Sequence, residues 1–99
     1  MKRYRILVAA QRELEANLER LRDENPAAAR ERLAAIVDAV RRLAEGGLDG
    51  SEVTLRDGRR LRHWVVWPLV IYYRRDPTEM VVLRVRDGRR RPITRQRKR

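Results

Sequence analysis

The side chains with chemical potential in this sequence are overwhelmingly arginines. The lone histidine, His63, sits beside Trp64, and a Ser/His/Asp site would have to join it to Ser51, a pairing nothing in the sequence supports. No cysteine is present, so thiolate nucleophiles, thiolate metal sites and disulfides are excluded. No acidic cluster has metal-ligand spacing, and no glycine-rich loop resembles a phosphate cradle. No metal and no cofactor is expected.

The arginines carry a pattern. With a period of two, Arg60, Arg62 and Trp64 share one strand face, and Val70, Tyr72 and Arg74 share another. In residues 79–86, Val81, Leu83 and Val85 alternate with Met80, Val82, Arg84 and Arg86. Laid side by side, these strands are expected to bring Arg62, Tyr72, Arg74, Arg84 and Arg86 onto one concave surface. Arg89 and Arg90 extend it. Arginines and aromatics on an open sheet bind phosphates and stack bases. The plainer reading is a solvated face that uses arginine for solubility.

Charge supports a binding role. The net charge is +11, and its distribution is uneven. Residues 1–50 hold 10 Lys/Arg against 9 Asp/Glu, and residues 51–99 hold 15 against 5. A preference for arginine over lysine does not explain why acids thin out after position 50. A half so basic suits a polyanion or an acidic protein. Residues 84–99 alone carry nine basic side chains and one acid, Asp87. Such a run adds affinity for nucleic acid by counterion release, or for an acidic protein by steering.

These side chains must be positioned by one small domain. The chain has 99 residues, 42% of them hydrophobic, which is enough for a single modest core. No apolar run approaches the roughly 20 residues of a membrane span, and the basic start is followed by too short an apolar stretch for a signal peptide. A reducing cytoplasm is the expected compartment.

Residues 2–8 alternate as a first strand. Residues 9–24 read as a helix with Ala10, Leu14, Leu18 and Leu21 on one face. Asn25-Pro26 stops it and caps a second helix, Pro26–Glu45. Its apolar stripe is Leu33, Ile36, Val37, Val40 and Leu43, and Gly46-Gly47 ends it. Beyond position 50 the period becomes two. Residues 51–55 are a possible short strand, with Asp57-Gly58 as a hairpin signal of the type I′ kind. Strands follow at 59–67, 69–74 and 79–86, punctuated by Pro68 and by Asp76-Pro77-Thr78. The expected class is α+β, in the order β-α-α-β-β-β. An antiparallel helical hairpin lies on a three- to four-stranded, mainly antiparallel sheet. Residues 1–93 form the domain, and 94–99 are a basic tail expected to be mobile.

Three segments resemble one known family. Asn25-Pro26-Ala27-Ala28-Ala29 resembles the helix-hairpin turn of ParE-type toxins. Pro68-Leu69-Val70-Ile71-Tyr72-Tyr73-Arg74 is similar to their apolar strand, and Val82-Leu83-Arg84-Val85-Arg86-Asp87-Gly88-Arg89-Arg90 to their closing strand. Together they point to the ParE/RelE toxin superfamily, over about residues 3–92. The resemblance implies a toxin neutralised by a cognate acidic antitoxin, ParD-like or RelB-like, whose partly disordered segment wraps the toxin.

It also implies one of two activities. RelE-like members cleave messenger RNA on the ribosome, and Arg62, Arg84 and Arg89 fall where their basic residues sit. Arginine can stabilise a phosphorane-like transition state, but it is a poor proton shuttle at neutral pH. Neither Tyr nor His follows Arg89, and Asp87 stands where the closing motif usually has His. ParE-like members instead inhibit DNA gyrase without catalysis. The favoured expectation is this non-enzymatic inhibitor. Arg62, Tyr72, Arg74, Arg84, Arg86, Arg89 and Arg90 then contact target or antitoxin. Ribosome-dependent mRNA cleavage is the alternative, and a basic nucleic-acid-binding module is a second.

Overall fold

A computed structural model of the chain describes residues 3–90. The basic tail at 94–99 lies outside the described residues. In chain order the elements are β1 (Arg3–Ile6), α1 (Val8–Glu24), α2 (Pro26–Glu45), β2 (Ser51–Thr54), β3 (Arg60–Val66), β4 (Leu69–Arg75) and β5 (Glu79–Asp87). The expected α+β class and element order are present, and the possible strand after position 50 is real.

The sheet has five strands in the order β1-β5-β4-β3-β2. All neighbours run antiparallel except β1 and β5, which are parallel. A parallel pair needs a crossover, and the helical hairpin supplies it, packing on one face of the sheet. Asn25 serves both helices. Its extended backbone ends α1, and its side chain accepts the Ala28 N–H at 3.1 Å to cap α2. At the far end Gly46, with φ of 86°, closes α2.

The main core lies between the hairpin and the sheet. Ile36, Ala39, Val40, Leu43 and Ala44 of α2 meet Leu69, Ile71, Tyr73, Met80, Val82 and Val85. The expected stripe on α2 needs correction. Ile36, Val40 and Leu43 are buried, but Leu33 and Val37 are 42% and 51% exposed. Alanines 29, 39 and 44 take the contact instead, because small side chains let the helix approach closely. On the opposite face Leu55, Leu61 and Tyr72 form a smaller cluster with Val53, Val70 and Leu83.

Two turns fix which residues share a face. β3 and β4 are joined by the two residues Trp67 and Pro68, whose peptide bond is cis, and Val66 faces Leu69. A two-residue turn makes even positions of β3 face odd positions of β4. Between β2 and β3 the Asp57-Gly58 hairpin forms, but not as type I′. Only Gly58 has positive φ, at 91°, and Asp57 does not. Gly58 N donates to Leu55 O at 3.0 Å and Leu55 N to Arg59 O at 2.8 Å, as in a three-residue loop that ends on a left-handed glycine.

One irregularity interrupts β5. Tyr73 faces Val82 while Tyr72 faces Arg84, which leaves Leu83 as the extra residue of a bulge. Val85 therefore joins Met80 and Val82 in the main core, and Leu83 packs on the other face. The expected common face of Val81, Leu83 and Val85 is broken there.

Candidate partner-binding surface

The arginines do not gather on one surface. Arg62 faces Tyr73, whereas Tyr72 faces His63. Arg62 thus lies on the helix side and Tyr72 on the outer side. Arg74 stands exposed at the β4–β5 turn, 3.5 Å from Asp76. Two carboxylates that the sequence reading did not single out hold three of the candidates: Glu13 takes Arg84 and Arg86, and Asp49 takes Arg62.

Glu13 is the first. β1 pairs with β5 only as far as the Leu7 N–H, which donates to Val82 O at 3.0 Å. Beyond that point α1 takes the place of β1, and Glu13 reaches the open strand edge. Its carboxylate accepts Arg84 Nε at 2.9 Å, Arg84 Nη2 at 2.8 Å and the Val85 N–H at 3.1 Å. Arg86 Nη1 is 3.7 Å away. The hydrogen bonds that Arg84 donates to Glu13 push the guanidinium's pKa up, against the opposing effect of desolvation. This fork is the strong geometry for an Arg–carboxylate pair.

Around Glu13 runs a cleft of about 260 Å³ between α1 and the end of β5, lined by Arg12, Asn17, Arg20, Arg86 and Arg90 among others. A second hollow of about 300 Å³ shares Asn17, Arg20 and Asp87 with it and adds Arg32 and Arg89. Asn17 is 7% exposed and accepts Arg32 Nη1 at 2.8 Å. Arg89 clasps Asp87 through Nε at 3.0 Å and Nη2 at 2.7 Å. Those hydrogen bonds hold the Asp87 carboxyl down at about 2. Among the described residues, Arg12, Arg20 and Arg90 make no ion pair. The joined clefts therefore offer guanidinium groups to an acidic ligand. Their floor includes Leu69 and Val85, which are apolar.

Asp49 is the second carboxylate, and its role is structural. Arg62 forks onto it at 3.0 and 3.1 Å, the Tyr73 hydroxyl donates to it at 3.1 Å, and Arg75 Nη1 lies at 3.3 Å. Desolvation opposes ionisation of Asp49, but hydrogen bonds from Tyr73 and Arg62 prevail and lower its pKa. The Tyr73 hydroxyl also accepts the Gly50 N–H at 2.6 Å. Arg75 Nη2 reaches Leu48 O at 3.3 Å and also Leu43 O, near the end of α2. This network ties the loop after α2 to the sheet. A Cβ on Gly50 would lie 2.0 Å from His63 O, so only glycine fits there.

The acidic groups lining the two hollows are Glu13, Glu24 and Asp87. Arg84 is committed to Glu13. No Tyr or His lines either hollow among the described residues. His63 stacks on Tyr72, with ring centroids 6.2 Å apart, on the other face of the sheet. No group of acidic or histidine side chains suited to a metal occurs among the described residues. No described helix is long and apolar enough to cross a membrane.

The fold defines a small basic α+β protein with an arginine-lined cleft beside a helical hairpin. A family model described as the ParE toxin of type II toxin-antitoxin systems, parDE, matches residues 4–92, and the chain belongs to that family. Among curated proteins no relative matches. A solved structure of the chromosomal ParDE TA system from P. aeruginosa is similar in fold, with a TM-score of 0.66 and 22% identity over 88% of this chain and 96% of that one.

Proposed function

We propose that this ParE-family toxin acts without catalysis, by binding and inhibiting DNA gyrase in the cytoplasm, and that an acidic antitoxin of the ParD kind holds it in check. The observation that carries the non-enzymatic reading is the fate of Arg84. It is forked onto Glu13, and the titratable groups of the adjoining clefts, arginines aside, are carboxylates, of which Glu13 and Asp87 are themselves held by arginines. An endoribonuclease needs a phosphate-binding cation beside a proton-transfer group that is free to act.

The antitoxin reading is supported by the same clefts. Arg12, Arg20, Arg86 and Arg90 converge around an apolar floor, the composition that an acidic amphipathic segment complements. Such a segment is ordered as it binds.

The test is a paired assay on the purified chain, comparing gyrase supercoiling with ribosome-dependent cleavage of a message. Lost supercoiling with an intact message is the expected result. Cleavage with normal supercoiling would overturn the proposal in favour of the ribonuclease alternative.

A further inference from the structure

We infer that the turn end of the sheet's outer face, centred on Trp67, is the surface with which the chain grips an acidic protein target. This rests on the inhibitor reading above and deepens it by naming where the target docks. Trp67 is 68% exposed and Val65 48% exposed, the largest values among the large hydrophobic side chains of the sheet and its turns. They belong together. Val65 faces Val70 across the β3–β4 pair, and Val70 faces Arg86 across the β4–β5 pair. The three form a row on one face, and Trp67 lies at its end.

Gly88 shows that this arrangement is built. A Cβ there would sit 3.1 Å from Trp67 Cζ3 and 3.2 Å from Val70 Cγ2. The indole therefore lies over the glycine, which the Val70 side chain also approaches. Gly88 N donates to Pro68 O at 2.6 Å, which fastens the turn to the end of β5. A large aromatic kept in the open by backbone on one side is pre-ordered, so it loses little freedom when a partner covers it.

Charge names the partner. The backbone of Arg86 ends the row, with its guanidinium turned to the β5 edge 3.7 Å from Glu13, and Arg89, clasping Asp87, and Arg90 follow directly after Gly88. An apolar centre of tryptophan and valine with an arginine rim is the composition of a protein-binding hot spot. The rim selects a partner surface that is acidic around an apolar pocket. A nucleic acid fits less well. Single-strand platforms stack successive bases on successive aromatics, and here one indole is flanked by two aliphatic side chains.

The experiment titrates the intact chain against gyrase holoenzyme in a supercoiling assay. It compares wild type with Trp67→Ala, Val65→Lys and, as a control at the other end of the sheet, Tyr4→Ala. Trp67→Ala and Val65→Lys should each raise the half-inhibitory concentration roughly tenfold or more. Tyr4→Ala should change it by less than about twofold. Both test sites are solvent-exposed, and unchanged thermal midpoints verify folding; if one variant melts early, the other decides. Inhibition by both variants equal to wild type overturns the Trp67 surface and leaves the inhibitor reading standing. A wild-type chain without effect on supercoiling overturns both. A labelled oligothymidylate bound by wild type and lost in Trp67→Ala would also overturn the proposal, because the surface would then serve nucleic acid.

Discussion

Replacing Glu13 by alanine should cost the domain stability well beyond that of an ordinary helix-surface change. Its carboxylate makes three hydrogen bonds to β5, two from Arg84 and one from the Val85 N–H. The Glu13 side chain is 23% exposed and that of Arg84 is 38% exposed. Water therefore recovers part of what Arg84 loses, and its share belongs at the low end of the range for a charged hydrogen bond, about 1.5 kcal/mol. The Val85 N–H sits at the strand edge, and leaving it unpaired adds about 1 kcal/mol. Together the change should lower stability by roughly 2.5 kcal/mol, and the melting midpoint by on the order of 10–20 °C for a domain of this size. Glu13→Gln keeps an acceptor for Val85 and loses the charge, so it should fall about midway. Urea unfolding followed by intrinsic fluorescence measures both, because Trp64 packs against the main core. A Glu13→Ala midpoint indistinguishable from wild type, with unchanged denaturant slope, would refute the claim that Glu13 closes the open edge of β5.

Tyr73→Phe should lose about 1–2 kcal/mol. The hydroxyl is both donor to Asp49 and acceptor from Gly50 N, and equilibrium unfolding checks it. Gly50→Ala should be worse, since its Cβ meets backbone at His63 rather than a side chain that can move. Poor recovery of folded protein or a much lower melting midpoint is the expected reading. Acid should weaken the fold partly through Asp87. Its folded pKa of about 2 lies below the ordinary value of 3.8, so its contribution is complete above about pH 4 and is lost as pH falls through about 2. Asp87→Asn should flatten part of the decline in a series of melts between pH 5 and pH 2. A decline identical to wild type would show that the Arg89 pair contributes nothing.

The helices and strands were legible because each has its own period and its own punctuation. Asn25-Pro26 stops one helix and starts the next with the residues already there. The surface was less legible, and the reasons are geometric. Alternation within a strand tells which residues of that strand share a face. It does not tell how one strand's faces match its neighbour's. That depends on turn length, and the two-residue turn at Trp67-Pro68 sets Arg62 opposite Tyr73 instead of beside Tyr72. The bulge at Leu83 then shifts the match again between β4 and β5. Glu13 and Asp49 escaped notice for a different reason. Each meets its arginines outside its own segment, 71 residues from Glu13 to Arg84 and 13 from Asp49 to Arg62. A periodicity one step to the side was the available signal: Glu13, Asn17 and Arg20 form a polar stripe beside the apolar Ala10, Leu14, Leu18 and Leu21.

The end of β5 gives the two proposed surfaces a common edge. Asp87 lines both hollows on the helix side, and Gly88 lies under Trp67 on the outer side. Arg86 links them: its backbone stands in the outer row with Val65 and Val70, while its guanidinium reaches 3.7 Å from Glu13. If an acidic segment fills the cleft, it draws on the same arginine that rims the Trp67 patch, and it stands one strand's width from the target's approach. Neutralisation then needs no direct cover over the tryptophan. Competition for Arg86, with the added negative charge of the segment beside an acidic target, is enough to oppose docking.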